Sequence, residues 1–164
     1  MVTSFLRQLW REGVVPLLKR PPAEQVAALC YRMADDHLEV LLVTSSEGRW
    51  ILPKGWPIDG LHHHQAALTE AWEEAGVKTG IADSEVFGTY ASMKTMKNGV
   101  VQECLTMVYP VRVMELAKTY PEQDKRERIW VPFENAAQMV REPDLAAILR
   151  RFPASHARDT QATG

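Results

Sequence analysis

The chain has 164 residues, of which 46% are hydrophobic, and a formal net charge of −2. This size and apolar content suit one packed domain and exclude a disordered chain, and the charge provides no global basic surface for a polynucleotide backbone. No run reaches the ~20 apolar residues of a membrane span, so the expectation is a cytoplasmic protein without membrane or nucleic-acid polymer partners.

Residues 1–22 read as an N-terminal extension. Phe5, Leu6, Leu9 and Trp10 fall on one face of a short helix, and Pro21 and Pro22 break the pattern. Docking on its own domain is preferred to docking on another subunit, which leaves a homodimer open. GVVPLL, interrupted by Pro16 and preceded by Arg11 and Glu12, is no signal peptide. An apolar strand is expected from Gln25 to Met33, a turn at Asp35 and Asp36, and a returning strand from Leu38 to Thr44. A short strand, Trp50 to Leu52, feeds a Pro53-Lys54-Gly55 loop, and a helix over about 62–75 follows. Strands are expected at 85–93 and 100–114 around an Asn98-Gly99 turn. A polar loop over 116–125 leads to a last strand, 128–131. Helices are expected at 133–141 and 144–151, the second opened by Pro143, and the tail from Pro153 to 164 is expected to be mobile. Cys30 and Cys104, each in an apolar run, read as two small buried thiols. Strands flanked by helices inside and at the end of the sequence predict a mixed β-sheet between helices over residues 23–152.

The helix at 62–75 carries three carboxylates, Glu70, Glu73 and Glu74. At about 100° per residue, they share one face. Leu68, Trp72 and Ala75 follow the i, i+4, i+7 spacing of a buried stripe on the other face, and Gly76 suits the left-handed residue past the helix end. Acidic residues on a helix are usually solvated surface. These three, however, crowd the helix C-terminal end, where the macrodipole disfavours negative charge. Packed carboxylates in that place point to a compensating cation, and oxygen ligands suit Mg²⁺ or Mn²⁺.

Gly55, Glu70, Glu73, Glu74, Gly76 and Val77 resemble the Nudix box, G-x5-E-x7-R-E-U-x-E-E-x-G-U, where U is a bulky apolar residue. The flanks RWILPKG (49–55) and RIWVPFENA (128–136) are most similar to the branch containing the diphosphoinositol polyphosphate phosphohydrolases. Leu61 stands where that box has its first glutamate, Thr69 where it has arginine, and Ala71 is smaller than the usual apolar residue. Loss of an acid together with a base leaves no orphan charge, so these departures bear on catalytic efficiency rather than on the fold.

The resemblance implies an α/β/α sandwich and metal-dependent hydrolysis of a phosphoanhydride in a small phosphorylated substrate. That substrate is a nucleoside diphosphate linked to another group, a dinucleoside polyphosphate or a diphosphoinositol compound. It also implies Glu70 and Glu74 as metal ligands and Glu73 as general base, and it points to Arg49, Lys54, Gly55 and Ser45 as substrate-binding residues. Ser46, Asp59, Lys94, Lys97, Lys125, Arg126 and Arg128 are weaker candidates, because a single surface charge is usually only solvated. His62, His63 and His64 read as a solvated helix start, since adjacent residues cannot all face one ion. Trp56 either stacks on a base or walls the pocket. The competing function is a ligand-sensing or interaction module without turnover, motivated by Leu61 and Thr69.

Overall fold

The structure, a computed structural model, describes residues 21–162, with side chains through residue 158. The helical face expected at Phe5–Trp10 lies outside the described residues. Eight strands form one sheet: β1 (Ala23–Ala34), β2 (His37–Thr44), β3 (Trp50–Ile51), β4 (Lys54–Gly55), β5 (Val77–Ala82), β6 (Gly88–Thr95), β7 (Val101–Leu116) and β8 (Arg128–Pro132). Among the described residues, three helices accompany them: α1 (His63–Ala75), α2 (Phe133–Met139) and α3 (Pro143–Ala162).

The main path of the sheet runs β3-β2-β1-β7-β5, with β4 on β1, β6 on β7 and β8 on β2. Only β1 and β7 run parallel, with Gln25 opposite Thr106 and Tyr31 opposite Arg112; all other pairs are antiparallel. The sheet is therefore mixed, as expected. Asp35 closes the β1–β2 hairpin in the left-handed region at φ 50°. Gly99 does the same for β6–β7 at φ 81°, its N–H bonded to the carbonyl of Met96.

The residues of β1 read as a continuous apolar run because both faces of the sheet are covered. Val26, Ala28 and Cys30 face α1, together with Leu41 and Val111. Ala27 and Leu29 face α2 and α3, with Leu42, Val108, Phe133, Leu145, Leu149 and Phe152. The architecture is an α/β/α sandwich.

Three local expectations are corrected and one strand is added to them. Trp72 does not join the core; it is 37% exposed, and the buried residues of α1 are Ala66, Ala67, Ala71, Glu74 and Ala75. The buried arc is thus turned by roughly 100° toward the acids. Alanine side chains let the helix lie close on Val26 and Ala28, and so close a contact leaves no room for an indole. Residues 77–82, for which the sequence pattern predicts no element, form β5. Its polar Lys78, Thr79 and Gly80 hide a strand signal, and it carries a register shift against β7. Lys54 and Gly55 pair with Ala27 and Val26 as a two-residue strand, where a loop was expected. Finally, the last helix does not stop at residue 151 but runs through Pro153 to Ala162. Proline there forfeits one helical hydrogen bond. Phe152 is buried, and its ring stacks on Phe133 and on His156, which also meets Tyr31 edge-on.

Candidate functional site

The acid face of α1 is held in place from both ends. At the N-terminal end, the Gln65 side chain accepts the His62 N–H at 2.9 Å. At the C-terminal end, Gly76 adopts φ 70°, and its N–H reaches the carbonyls of Ala71 and Trp72, the left-handed ending expected of it. A Cβ on Gly76 would collide with the Tyr120 ring and the Arg128 guanidinium, so this glycine answers to packing as well as to φ. Arg128 donates to the carbonyls of Ala75 at 2.7 Å and Ala117 at 2.9 Å. It therefore serves as a cation at the helix C-terminus, and its guanidinium is spent on the backbone.

The three carboxylates differ in their surroundings. Glu74 is 5% exposed. One of its oxygens accepts the backbone N–H of Lys54 at 3.1 Å, and the other pairs with Arg126 at 3.1 Å. Burial pushes its carboxyl up to about 7, and Glu70 and Glu122 push the same way, against the pull of Arg126 and the Lys54 N–H. Glu70 is also raised, first by burial and then by Glu73 and Glu122. Its carboxylate lies against Gly55, where any Cβ would run into it. The close approach of β4 to α1 thus leaves no room for a side chain at position 55 while Glu70 keeps this place. Glu73 is half-buried, and its carbonyl accepts the N–H of Glu122 at 3.0 Å.

Glu122 and Arg126 complete this group, and both come from the polar stretch before β8. Arg126 donates to the Thr44 carbonyl at 2.8 Å and lies 3.6 Å from the Glu122 carboxylate. Glu122 was not singled out from the sequence, and Arg126 only as a weak phosphate contact. Nothing local distinguishes either from solvated charge, because their partners on α1 are remote in sequence.

Beside Glu74 opens a cleft of about 610 Å³, whose walls include Ser45, Arg49, Lys54, Lys94, Arg126 and Arg141. The sequence-predicted Ser45, Arg49 and Lys54 are therefore brought together. The Ser45 hydroxyl accepts the N–H groups of Glu47 and Arg49, which shapes the β2–β3 turn. Arg49 sits between Glu47 at 3.3 Å and Glu142 at 3.4 Å. Burial lowers the Lys54 amine, while Glu142 acts in the opposite sense. The cleft floor holds Gln25, buried between the strands. A larger, mostly apolar hollow of about 980 Å³ lies at the far end of β1 against Met33 and Met114 and contains no box carboxylate. Glu74 and the sequence-predicted Ser45, Arg49 and Lys54 line the smaller one.

The remaining candidates lie elsewhere. Asp59 and Leu61 are exposed in the loop before α1. The rings of His62 and His64 stack on each other, and these side chains line a separate surface hollow with Leu61 and Tyr109. Trp56, 40% exposed, carries the Lys94 ammonium 4.6 Å above its ring. The Thr69 hydroxyl turns back to the carbonyl of Gln65 at 3.1 Å.

Among the described residues, no three His, Cys, Asp or Glu side chains converge closely enough to hold an ion as they stand. The donor set nevertheless fits a hard divalent cation: Glu70 and Glu74 offer carboxylate oxygens from one helix face, and burial together with the neighbouring acids makes their ionisation costly without a cation. Each engaged oxygen of Glu74 keeps a further lone pair.

Among the described residues, no helix is long and apolar enough to cross a membrane. The sequence model of the NUDIX domain matches residues 23–152. The chain is 35% identical over 111 residues to "Nudix hydrolase 16, mitochondrial" of Arabidopsis thaliana, covering 65% of this chain and 60% of the relative. It is 31% identical over 121 residues to "Diphosphoinositol polyphosphate phosphohydrolase 3-beta" of Homo sapiens, covering 71% and 68%. The chain thus spans about three-fifths of the length of the plant relatives it matches. Among solved structures, a NUDIX hydrolase from Nitrosomonas europaea superposes with a TM-score of 0.63 at 20% identity, over 82% of this chain and 90% of that one. The NUDIX domain of Shewanella oneidensis NrtR, complexed with ADP ribose, superposes with a TM-score of 0.59 at 20% identity, over 94% and 97%. At such identities the structural likeness is one of fold, and it agrees with the α/β/α sandwich. Together with the family match over most of the chain, it makes this protein a member of the Nudix family.

Proposed function

We infer that this chain hydrolyses a phosphoanhydride bond in a small phosphorylated substrate, with Mg²⁺ or Mn²⁺ bound at Glu70 and Glu74. The observation that carries this reading is the adjacency of two environments. Buried Glu74, beside Glu70 on α1, lines a cleft whose walls also carry Arg49, Lys54, Lys94 and Arg141. The acids suit the reacting end of a polyphosphate, and the bases suit its remaining phosphates.

A divalent cation held by Glu70 and Glu74 would supply neutralising charge and acidify bound water. Glu73 is assigned as general base. Water adds to one phosphorus, its proton passes to the Glu73 carboxylate, the bridging P–O bond breaks, and the leaving phosphate keeps the electron pair. Arg49 and Lys54 pair with phosphates that do not react. Ser45 fixes the turn that presents Arg49, and Gly55 lets the Glu70 carboxylate approach the backbone. The proposed substrates are nucleoside diphosphate derivatives, dinucleoside polyphosphates and diphosphoinositol compounds. The human relatives are named for hydrolysis of the last, and structural neighbours are described as an Ap4A hydrolase and a dihydroneopterin triphosphate pyrophosphohydrolase. A cytoplasmic location and a homodimer belong to the same proposal, although the plant relatives are named as mitochondrial.

The test is phosphate or pyrophosphate release from a panel of these compounds, with Mg²⁺, with Mn²⁺ and with a chelator. Metal-dependent release that Glu70→Gln abolishes is the expected result. A second reading, a ligand-sensing module, draws on the engagement of both Glu74 oxygens and on Thr69 and Leu61 in the box. Silence across the panel, combined with tight binding of an intact phosphorylated ligand, would favour that reading.

A further inference from the structure

We propose that Arg126 is the positioning residue for the carboxylates of α1, doing from the loop before β8 what a basic residue at position 69 would do from the helix itself. The inference rests on the metal-dependent reading above and assigns one part of it.

Position 69 lies one helical turn before Glu73, where a long cation would meet the acid face. It holds Thr69, whose short hydroxyl is bonded to the Gln65 carbonyl at 3.1 Å. Without another cation, ionising the buried Glu74 would leave a charge with no partner, which is strongly destabilising. Arg126 supplies the partner. One terminal nitrogen reaches Glu74 at 3.1 Å, the other donates to the Thr44 carbonyl at 2.8 Å, and its Nε lies 3.6 Å from Glu122. One guanidinium therefore sets the spacing of a helix carboxylate, a loop carboxylate and the end of β2. A planar fork is suited to this, since it loses little freedom for each bond formed.

The platform under Arg126 is itself tied down. Glu127 accepts the Thr44 N–H at 3.1 Å and donates to the Thr44 hydroxyl at 3.0 Å. Arg128 holds the carbonyl of Ala75 at the end of α1. The segment is thus anchored at three consecutive residues, 126 and 128 to α1 and 127 to the end of β2. With the Lys54 N–H on its second oxygen, both oxygens of Glu74 are held. Supporting partners of this kind typically change metal affinity about 10–100-fold when removed.

The experiment compares wild type, Arg126→Gln, Arg126→Lys and Arg126→Gln combined with Thr69→Arg. Free Mn²⁺ is measured by electron paramagnetic resonance without substrate, alongside steady-state kinetics and melting. Arg126→Gln is expected to weaken Mn²⁺ binding about 10-fold and to lower kcat by up to about 100-fold with little change in KM. Adding Thr69→Arg is expected to restore a substantial part of both. Should Arg126→Gln fail to fold, Arg126→Lys carries the test, because it keeps the charge but loses the fork, and a weaker drop in the same two quantities is expected. A raised KM with unchanged kcat and unchanged Mn²⁺ binding overturns the inference and makes Arg126 a substrate contact. Unchanged values throughout overturn it as well. Wild-type protein that binds no Mn²⁺ overturns the parent reading and this inference with it, whereas wild-type binding that survives Arg126→Gln overturns the inference alone.

Discussion

The Glu70 carboxylate rests against the Cα of Gly55, in the space that a side chain at position 55 would take. Strand β4 and helix α1 meet at this point, so a backbone position fixes the location of an acid. Gly55→Ala should push the Glu70 carboxylate away while leaving the core untouched, because the atoms it strikes form the end of a flexible side chain. A misplacement of about 1 Å near the reacting centre can cost roughly 100-fold in rate. The expected outcome is a kcat lowered by one to two orders of magnitude and a melting midpoint close to wild type. Steady-state kinetics and calorimetry on the same preparation check it, and unchanged kcat would remove Glu70 from the site.

Glu74 makes folding stability depend on pH in a sense opposite to that of an ordinary surface acid. Its carboxyl is raised from the usual 4.5 to about 7, chiefly by burial, so between those values the folded state holds a proton that the unfolded state has released. Stability therefore falls as pH rises through that window. The full effect of one such group is on the order of 3 kcal/mol. The metal-free protein should melt at a higher temperature near pH 5 than near pH 7.5 as far as this group is concerned, and Glu74→Gln should flatten the difference. Mg²⁺, which favours the ionised form, should raise the midpoint more at pH 7.5 than at pH 5. Thermal melts at the two pH values, with and without metal, decide the matter.

The parts of this site that were legible in the sequence are those whose partners are near in sequence. The helix, the shared acid face and the left-handed Gly76 follow from spacing alone. Arg49 and Lys54 reach the cleft because they flank the short strands before α1. The orientation of that helix on the sheet was not legible, since alternation of apolar residues favoured Trp72 and gave no sign that the alanines and Glu74 would be buried instead. Arg126 and Glu122 meet α1 only through the fold, and no local pattern marks either residue. The cation expected for the crowded C-terminal end of α1 has a protein counterpart in Arg126 and Arg128, and a distant contact of that kind leaves no trace in the spacing of the acids.

Arg49 and Arg128 are chemically alike and placed for different work. Arg128 donates to two backbone carbonyls and stacks on Tyr120, whereas Arg49 lines the cleft between two carboxylates. Arg128→Ala leaves the Ala75 and Ala117 carbonyls without this donor and should cost about 1–3 kcal/mol of stability, with KM little changed. Arg49→Ala should raise KM several-fold while leaving kcat and stability near wild type, the signature of lost uniform binding. Urea melts and steady-state kinetics on both variants separate the roles, and an exchange of the two phenotypes would reverse the assignments.

The continuation of α3 through Pro153 depends on Phe152. Its buried ring is flanked by Tyr31, Phe87, Phe133 and His156, and this packing opposes the loss of one helical hydrogen bond at the proline. Phe152→Ala removes that contact in a close-packed layer and should destabilise the fold by about 3–5 kcal/mol. The residues after Pro153 should then exchange their amide hydrogens much faster than those of residues 144–151, because they lose their anchor while the first half of the helix keeps Leu145, Ile148 and Leu149 in the core. The cleft lies at the other end of the sheet, so KM should stay near wild type under conditions where the variant is folded. Hydrogen exchange resolved along α3 provides the check. Uniform protection across Pro153 in the variant would show that the second half of the helix holds itself in place without the aromatic cluster.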